Sequence, residues 1–121
     1  MNLESQSFEA SADAFERLVQ LVPNNAEPLV FLATALQGNE KFAEAISVYE
    51  QALALEPNHP SAWTNLAGSF LQVGRWQDAC DAANRQIALR PGYIGALALK
   101  SVALQELGLT DAWREIVNLD R

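Results

Sequence analysis

Apolar residues recur along this chain at helical spacing, in short bursts that each end at a glycine or a proline. In the stretch 26–37 they fall at Leu29, Leu32, Ala33 and Leu36, the i, i+3, i+4, i+7 pattern of one helix face. Gly38-Asn39 follows, and both residue types tolerate the left-handed backbone that closes a helix. The stripe resumes at Phe42, Ala45, Ile46, Tyr49, Ala52 and Leu53. It predicts a second helix ending before Pro57, which lacks the N–H needed to continue it. The next stretch repeats the arrangement. Pro60 suits a first helical turn, Trp63, Leu66, Ala67 and Phe70 form the stripe, and Gly74 closes it. Trp76, Ala79, Cys80, Ala83 and Ile87 then carry a partner helix to Pro91-Gly92.

The recurrence has a fixed period. Pro23, Pro57 and Pro91 stand 34 residues apart, within the phrases Leu21–Asn25, Leu55–His59 and Leu89–Tyr93. A period in this range marks one supersecondary unit that is repeated and stacked. At that spacing Phe8 aligns with Phe42 and Trp76, Ser11 with Ala45 and Ala79, and Val19 with Leu53 and Ile87. Leu36, Phe70 and Leu104 form a further column. Small residues at one register let helices approach, and large ones fill the space between them.

The period divides a single domain, 1–121, into a one-helix half unit at 1–25, full units at 26–59 and 60–93, and a shortened unit at 94–121. In the last unit Gly108 is followed by Leu109-Thr110 before Asp111-Ala112, whereas Gly74 is followed by three residues before Asp78-Ala79. With Thr110 as an N-cap, Gly95–Leu107 and Thr110–Leu119 read as separate helices. An all-α stack of about seven helices is expected, with neighbours antiparallel because the connections are short.

Composition narrows the function classes. The net charge of −7 argues against nucleic acid, whose phosphates demand a basic face. The excess acid lies in residues 1–59, a gradient that reads as a solvated acidic surface. One cysteine and one histidine build neither a disulfide framework nor a four-ligand metal site. The sequence shows no membrane span and no secretory leader, so a cytoplasmic protein is expected. No phosphate loop, nucleophile elbow or metal spacing is present, and no cofactor and no catalysis are expected.

These residues resemble the tetratricopeptide-repeat family, whose 34-residue unit carries Trp-x2-Leu-Gly-x2-Tyr followed by Ala, Phe and Pro. Trp63, Leu66, Ala67, Phe70, Ala79 and Pro91 fit it, as do Leu29, Leu32, Ala33, Leu36, Ala45, Tyr49, Ala52 and Pro57. Ala33 and Ala67 stand in for the glycine of the pattern, Gln86 for a small residue and Lys100 for a leucine. A junction between the second and third units that is either looser or bridged by Gln86 and Lys100 is expected from the last two. The resemblance implies a right-handed superhelix of stacked antiparallel helix pairs. The first helix of each pair would line a concave groove that receives a peptide segment of a partner protein.

Carried over position by position, the groove residues are Val30, Phe31, Thr34 and Gln37, then Thr64, Asn65, Gly68, Leu71 and Gln72, then Ala98, Leu99, Val102 and Gln105. The lining is neutral and mildly apolar, with glutamines and Asn65 able to bond a peptide backbone. The family's basic clamp for chaperone tails would need Lys or Arg near Val30, Gly95 and Leu99 and Asn near Thr34. Only Asn65 of that set is present, so chaperone-tail binding is not expected.

Other conspicuous residues have ordinary readings. His59 reads as a solvated turn residue, Cys80 as a small core residue, and Trp63, Trp76 and Trp113 as packing. Glu40, Glu44, Asp78 and Asp81 read as a charged outer face, and Arg75, Arg85 and Arg90 as balance for nearby acids, with a docking patch as the alternative. The leading expectation is a non-enzymatic scaffold or adaptor module whose groove binds a partner's peptide. Two alternatives accompany it: an N-terminal recruitment domain of a larger enzyme, or homo-oligomerisation through unpaired terminal helices.

Overall fold

In the computed structural model the backbone is described for residues 3–119 and side chains for residues 6–108. Six helices follow one another: α1 (Leu3–Leu21), α2 (Ala26–Gly38), α3 (Phe42–Leu55), α4 (Ala62–Gln72), α5 (Trp76–Leu89) and α6 (Ile94–Leu119). No strand occurs among the described residues, and no helix there is long and apolar enough to cross a membrane. Each helix packs on the next. In addition α2 touches α4 and α4 touches α6, whereas among the described residues α1, α3 and α5 do not approach one another. One row of helices is therefore closed up and the other spread, which bends the stack so that α2, α4 and α6 form its inner side.

The two aligned turns close in the same way. Lys41 N–H bonds the Leu36 carbonyl at 2.9 Å and Arg75 N–H bonds the Phe70 carbonyl at 2.9 Å. This six-to-one bond defines the Schellman motif, which needs a left-handed residue just before its donor. That residue is Glu40 in one unit (φ 62°) and Gly74 in the next (φ 76°). The stop expected at Gly38-Asn39 thus falls on Glu40, while Gly38 is the last residue of α2. Gly38 instead serves the packing of helices. A Cβ there would overlap the Phe8 ring, so its absence lets α1 dock on α2.

The period places Gly108 in register with Glu40 and Gly74, yet α6 runs straight through it to Leu119. The expected final pair is therefore one helix of 26 residues, and the count is six. The missing residue explains this. In the complete turns the backbone carbonyls of Lys41 and Arg75 accept the first bonds of α3 and α5, from Ala45 and Ala79, each at 3.0 Å. Leu109 stands in the place of Lys41 and Arg75. With one residue fewer before Asp111-Ala112, however, a second helix starting there would carry its apolar stripe one position off the face that α3 and α5 present. Continuing the helix satisfies the same backbone groups.

The core is built largely from alanines of the small columns, Ala33, Ala45, Ala52, Ala67, Ala79 and Ala83, all fully buried, with Leu29, Leu53, Leu66 and Phe70 between them. Tyr49 is the largest fully buried side chain among the described residues. Cys80 is buried among them, as expected for a small core residue. Gln86 is buried too. Its amide donates to the Pro60 carbonyl at 2.9 Å, so the polar tie runs from α5 to the turn before α4 and not to Lys100.

Candidate protein-interaction site

The inner side of the bend presents the residues of α2, α4 and α6, in unequal roles. On α2, Val30 is 5% exposed and belongs to the core, so it offers no surface to a ligand. Phe31 is the exposed residue of that turn, and its ring lies 5.3 Å from that of Phe15 on α1. Thr34 is exposed, but its hydroxyl lies 2.8 Å from the Val30 carbonyl and 3.1 Å from the Tyr49 hydroxyl. Its single hydrogen is shared between them.

Gln37 is also engaged. Its Oε1 accepts from the Tyr49 hydroxyl at 2.8 Å and its Nε2 donates to the Asn65 carbonyl at 3.2 Å, tying α2 to both α3 and α4. Burial pushes the Tyr49 phenol above its ordinary pKa, against hydrogen bonds from Thr34 and Asn65 that pull it down. The phenol is thus held neutral as the donor that Gln37 needs.

On α4, Thr64, Asn65, Gly68 and Leu71 are half-buried and Gln72 is exposed. The Thr64 hydroxyl is buried without a partner, and a Cβ at Gly95 would sit 3.5 Å from its methyl group. A Cβ at Gly68 would approach Gln37 Nε2 to 3.3 Å, so Gly68 leaves room for the Gln37–Asn65 bond. On α6, Ala98, Val102 and Gln105 are exposed and Leu99 packs against the core. The open part of the lining is therefore Phe31, Gln72, Ala98, Val102 and Gln105, with no charge among them. Thr34, Gln37 and Asn65 shape it from within.

His59 contradicts its sequence reading. It is 4% exposed, and its Nδ1 accepts the backbone N–H groups of Ser61 (3.2 Å) and Ala62 (3.1 Å) at the start of α4. Its Nε2 therefore carries the ring hydrogen and donates it to Glu27 Oε1 at 2.6 Å. Burial follows from these duties, because the imidazole caps one unit while clasping α2 of the previous one. The period contained the signal. His59 stands 34 residues after Asn25, whose side chain caps α2 by accepting from Glu27 N–H at 3.0 Å. Glu27, Glu56 and His59 lie within 4.8 Å of one another. A metal ion on Nε2 would force the ring hydrogen onto Nδ1 and break both capping bonds, so the trio fits a structural joint.

On the outer side, where α3 and α5 stay apart, a furrow of about 380 Å³ exposes part of α4 between Glu50, Asp78 and Asp81. Arg75, Arg85 and Arg90 also cover aromatic rings. Arg85 lies over the Trp63 ring at 5.2 Å and Arg75 over Phe70 at 4.5 Å, with Arg75 Nε also bonded to Asp78 at 2.8 Å. Arg90 covers Tyr93 at 4.9 Å. The Trp63 indole donates to the Pro57 carbonyl at 2.7 Å, a packing role with a satisfied N–H. Trp113 lies outside the described side chains.

Residues 32–94 match the pattern of the tetratricopeptide-repeat family. Over 71 residues the chain is 38% identical to the PEX5-related protein of Homo sapiens, a match that covers 59% of this chain and 11% of that protein. Over 107 residues it is 27% identical to the peroxisomal targeting signal receptor of Kluyveromyces lactis, covering 88% of this chain and 18% of that one. The chain thus spans less than a fifth of either relative. Among solved structures, the first TPR of Spaghetti (RPAP3) bound to the HSP90 peptide SRMEEVD superposes with a TM-score of 0.83. That match has 20% identity and covers 85% of this chain and 82% of the other, a likeness of fold.

Proposed function

This chain belongs to the tetratricopeptide-repeat family, and on that premise we propose that its inner face binds a peptide segment of a partner protein, so that the domain acts as a scaffold or adaptor. The observation that carries this reading is the division of labour on that face. Thr34, Gln37 and Asn65 are tied into the Tyr49 network and hold α2, α3 and α4 in place. Gln72, Ala98, Val102 and Gln105 remain open to solvent. A face already rigid before binding loses little entropy when a peptide docks, so a few contacts suffice for a transient complex.

The chemistry of the open residues favours a neutral to apolar peptide. Carboxamides supply donors and acceptors for an extended backbone, and Phe31 and Val102 supply apolar contact. The RPAP3 domain of like fold supports the reading, since its structure holds a peptide. The acidic peptide SRMEEVD is a poor match for this lining, which has no Lys or Arg among its open residues. The role of the domain is binding, and no reaction is proposed for it.

The test is selection of linear peptides from a display library on the immobilised chain, followed by affinity measurement on Ala98→Arg and Val102→Arg. Both side chains are already exposed, so the fold is retained. Affinity should fall at least about tenfold for each, the effect of a bulky charge placed in a neutral contact. Peptides that bind both variants as tightly as the parent chain would move the site off this face.

A further inference from the structure

The uninterrupted α6 leaves one of its own faces bare. Ala96 and Ala103, on the side packed against α4 and α5, are fully buried. Leu97 and Leu104, each the residue after one of those alanines, are 43% and 49% exposed. The 34-residue register shows what is missing. Leu97 corresponds to Leu29 and Trp63, and Leu104 to Leu36 and Phe70. Leu29 and Phe70 are in the core, each 6% exposed, and Trp63 and Leu36 are half-buried against it. Lys100 corresponds to Leu32 and Leu66, which are buried as well. In the earlier units the next helix, α3 or α5, completes that core. After α6 the equivalent stretch, 110–119, continues along the same axis and cannot turn back on its own stripe.

We propose that the bare stripe of α6 is covered by residues 110–119 of a second copy of this chain, in a twofold dimer where each copy supplies the other's missing seventh helix. Three observations select this occupant. The stripe is the surface that a second helix of the repeat covers elsewhere in the same chain. Residues 110–119 carry the matching sequence register, with Asp111-Ala112 in the place of Asp78-Ala79. The turn that would bring them home is one residue short, and shortened hinges favour exchange between copies over a strained local turn.

The geometry is self-consistent. Helices within a unit run antiparallel, and two α6 helices crossing antiparallel about Gly108 place each 110–119 segment beside the other's Leu97–Leu104 stripe. Beyond Gly108 the helix projects roughly 15 Å, enough for about three turns of contact. The interface is isologous, so every substitution in it acts twice. This inference concerns the outer end of the stack and stands apart from peptide binding on the inner face.

Sedimentation equilibrium of the full chain, from micromolar to millimolar concentration, is expected to show a monomer–dimer equilibrium. Leu104→Glu changes a residue already half exposed in one copy, so helicity by far-ultraviolet circular dichroism stays unchanged. The dimer dissociation constant rises at least about a hundredfold, because two carboxylates are brought against apolar surface. Inserting one asparagine after Gly108 restores the turn length and yields a monomer. To identify the occupant, a Leu104→Cys chain is mixed with an Ala112→Cys chain, both in a Cys80→Ala background, and oxidised. A disulfide-linked heterodimer is expected. A strictly monomeric chain at every concentration, a dimer indifferent to Leu104→Glu, or no cross-link between the two chains would each overturn the proposal.

Discussion

Three residues at one register position, Glu40, Gly74 and Gly108, provide a test of how this chain turns. Glu40 and Gly74 have left-handed backbones, with φ of 62° and 76°. An L side chain there costs roughly 1–2 kcal/mol, partly offset by the extra freedom glycine has in the unfolded chain. Gly74→Ala should therefore destabilise by about 1 kcal/mol. The added Cβ meets only Trp76 at 3.7 Å, an ordinary contact, so no clash enlarges the effect. Glu40→Gly should stabilise by a similar amount, about 1 kcal/mol. Gly108 lies inside α6 with nothing within 4 Å of a Cβ. Gly108→Ala should stabilise by about 0.8–1 kcal/mol, the helix-propensity difference. The same substitution thus has opposite signs at positions 74 and 108. Urea unfolding followed by circular dichroism reads the difference, expected near 2 kcal/mol. If Gly108→Ala destabilises as Gly74→Ala does, the chain reverses at Gly108 and the long final helix is refuted.

Other expectations follow from the joints between units. His59→Ala removes the α4 cap and a half-buried bond to a carboxylate and should cost about 2 kcal/mol by urea unfolding. Glu27→Gln keeps an acceptor for Nε2 and should cost less than about 1 kcal/mol, and equal losses for the two variants would contradict the capping role. Tyr49 predicts an alkaline effect. Its phenol binds its proton more tightly folded than unfolded, so its contribution is complete below the unfolded pKa of 10.0 and is lost as pH rises above it. Tyr49→Phe should be about 1 kcal/mol less stable at neutral pH yet fall less steeply above pH 10, and parallel profiles of the two proteins would refute this. Isothermal titration with the peptide SRMEEVD should give no measurable heat of binding, and a micromolar complex would contradict the neutral-lining argument.

Much of the architecture was readable because the prolines and the small columns act locally and at one period. Pro23, Pro57 and Pro91 stop helices through their missing N–H, and Ala45 and Ala79 sit where helices must approach. The last unit departs from the pattern because Gly108 keeps the register while one residue before Asp111-Ala112 is gone. The hydrophobic pattern alone does not decide there between a turn and a continued helix. His59 hides its role for the opposite reason. Its neighbours Asn58 and Pro60 read as a solvated turn, while its duty is set by Glu27, 32 residues earlier in the chain. At the candidate site, register put the correct helices on the inner side but could not separate Val30, sunk in the core, from Val102, open to solvent. Nor could it show that Gln37 is held by Tyr49 and Asn65, because those bonds join three helices. Gly68→Glu and Thr64→Arg, natural choices from sequence for blocking the groove, would disturb Gln37 and crowd Gly95, and so are poor tests of binding.

Peptide binding on the inner face is read residue by residue through amide chemical-shift mapping of the isotope-labelled chain as a library-selected peptide is titrated in. The largest shifts should fall on Phe31, Gln72, Ala98 and Val102 of the inner row, with α3 and α5 nearly silent. Shifts concentrated on Glu50, Asp81 and Arg85 beside the outer furrow, with the inner row unmoved, would contradict inner-face binding.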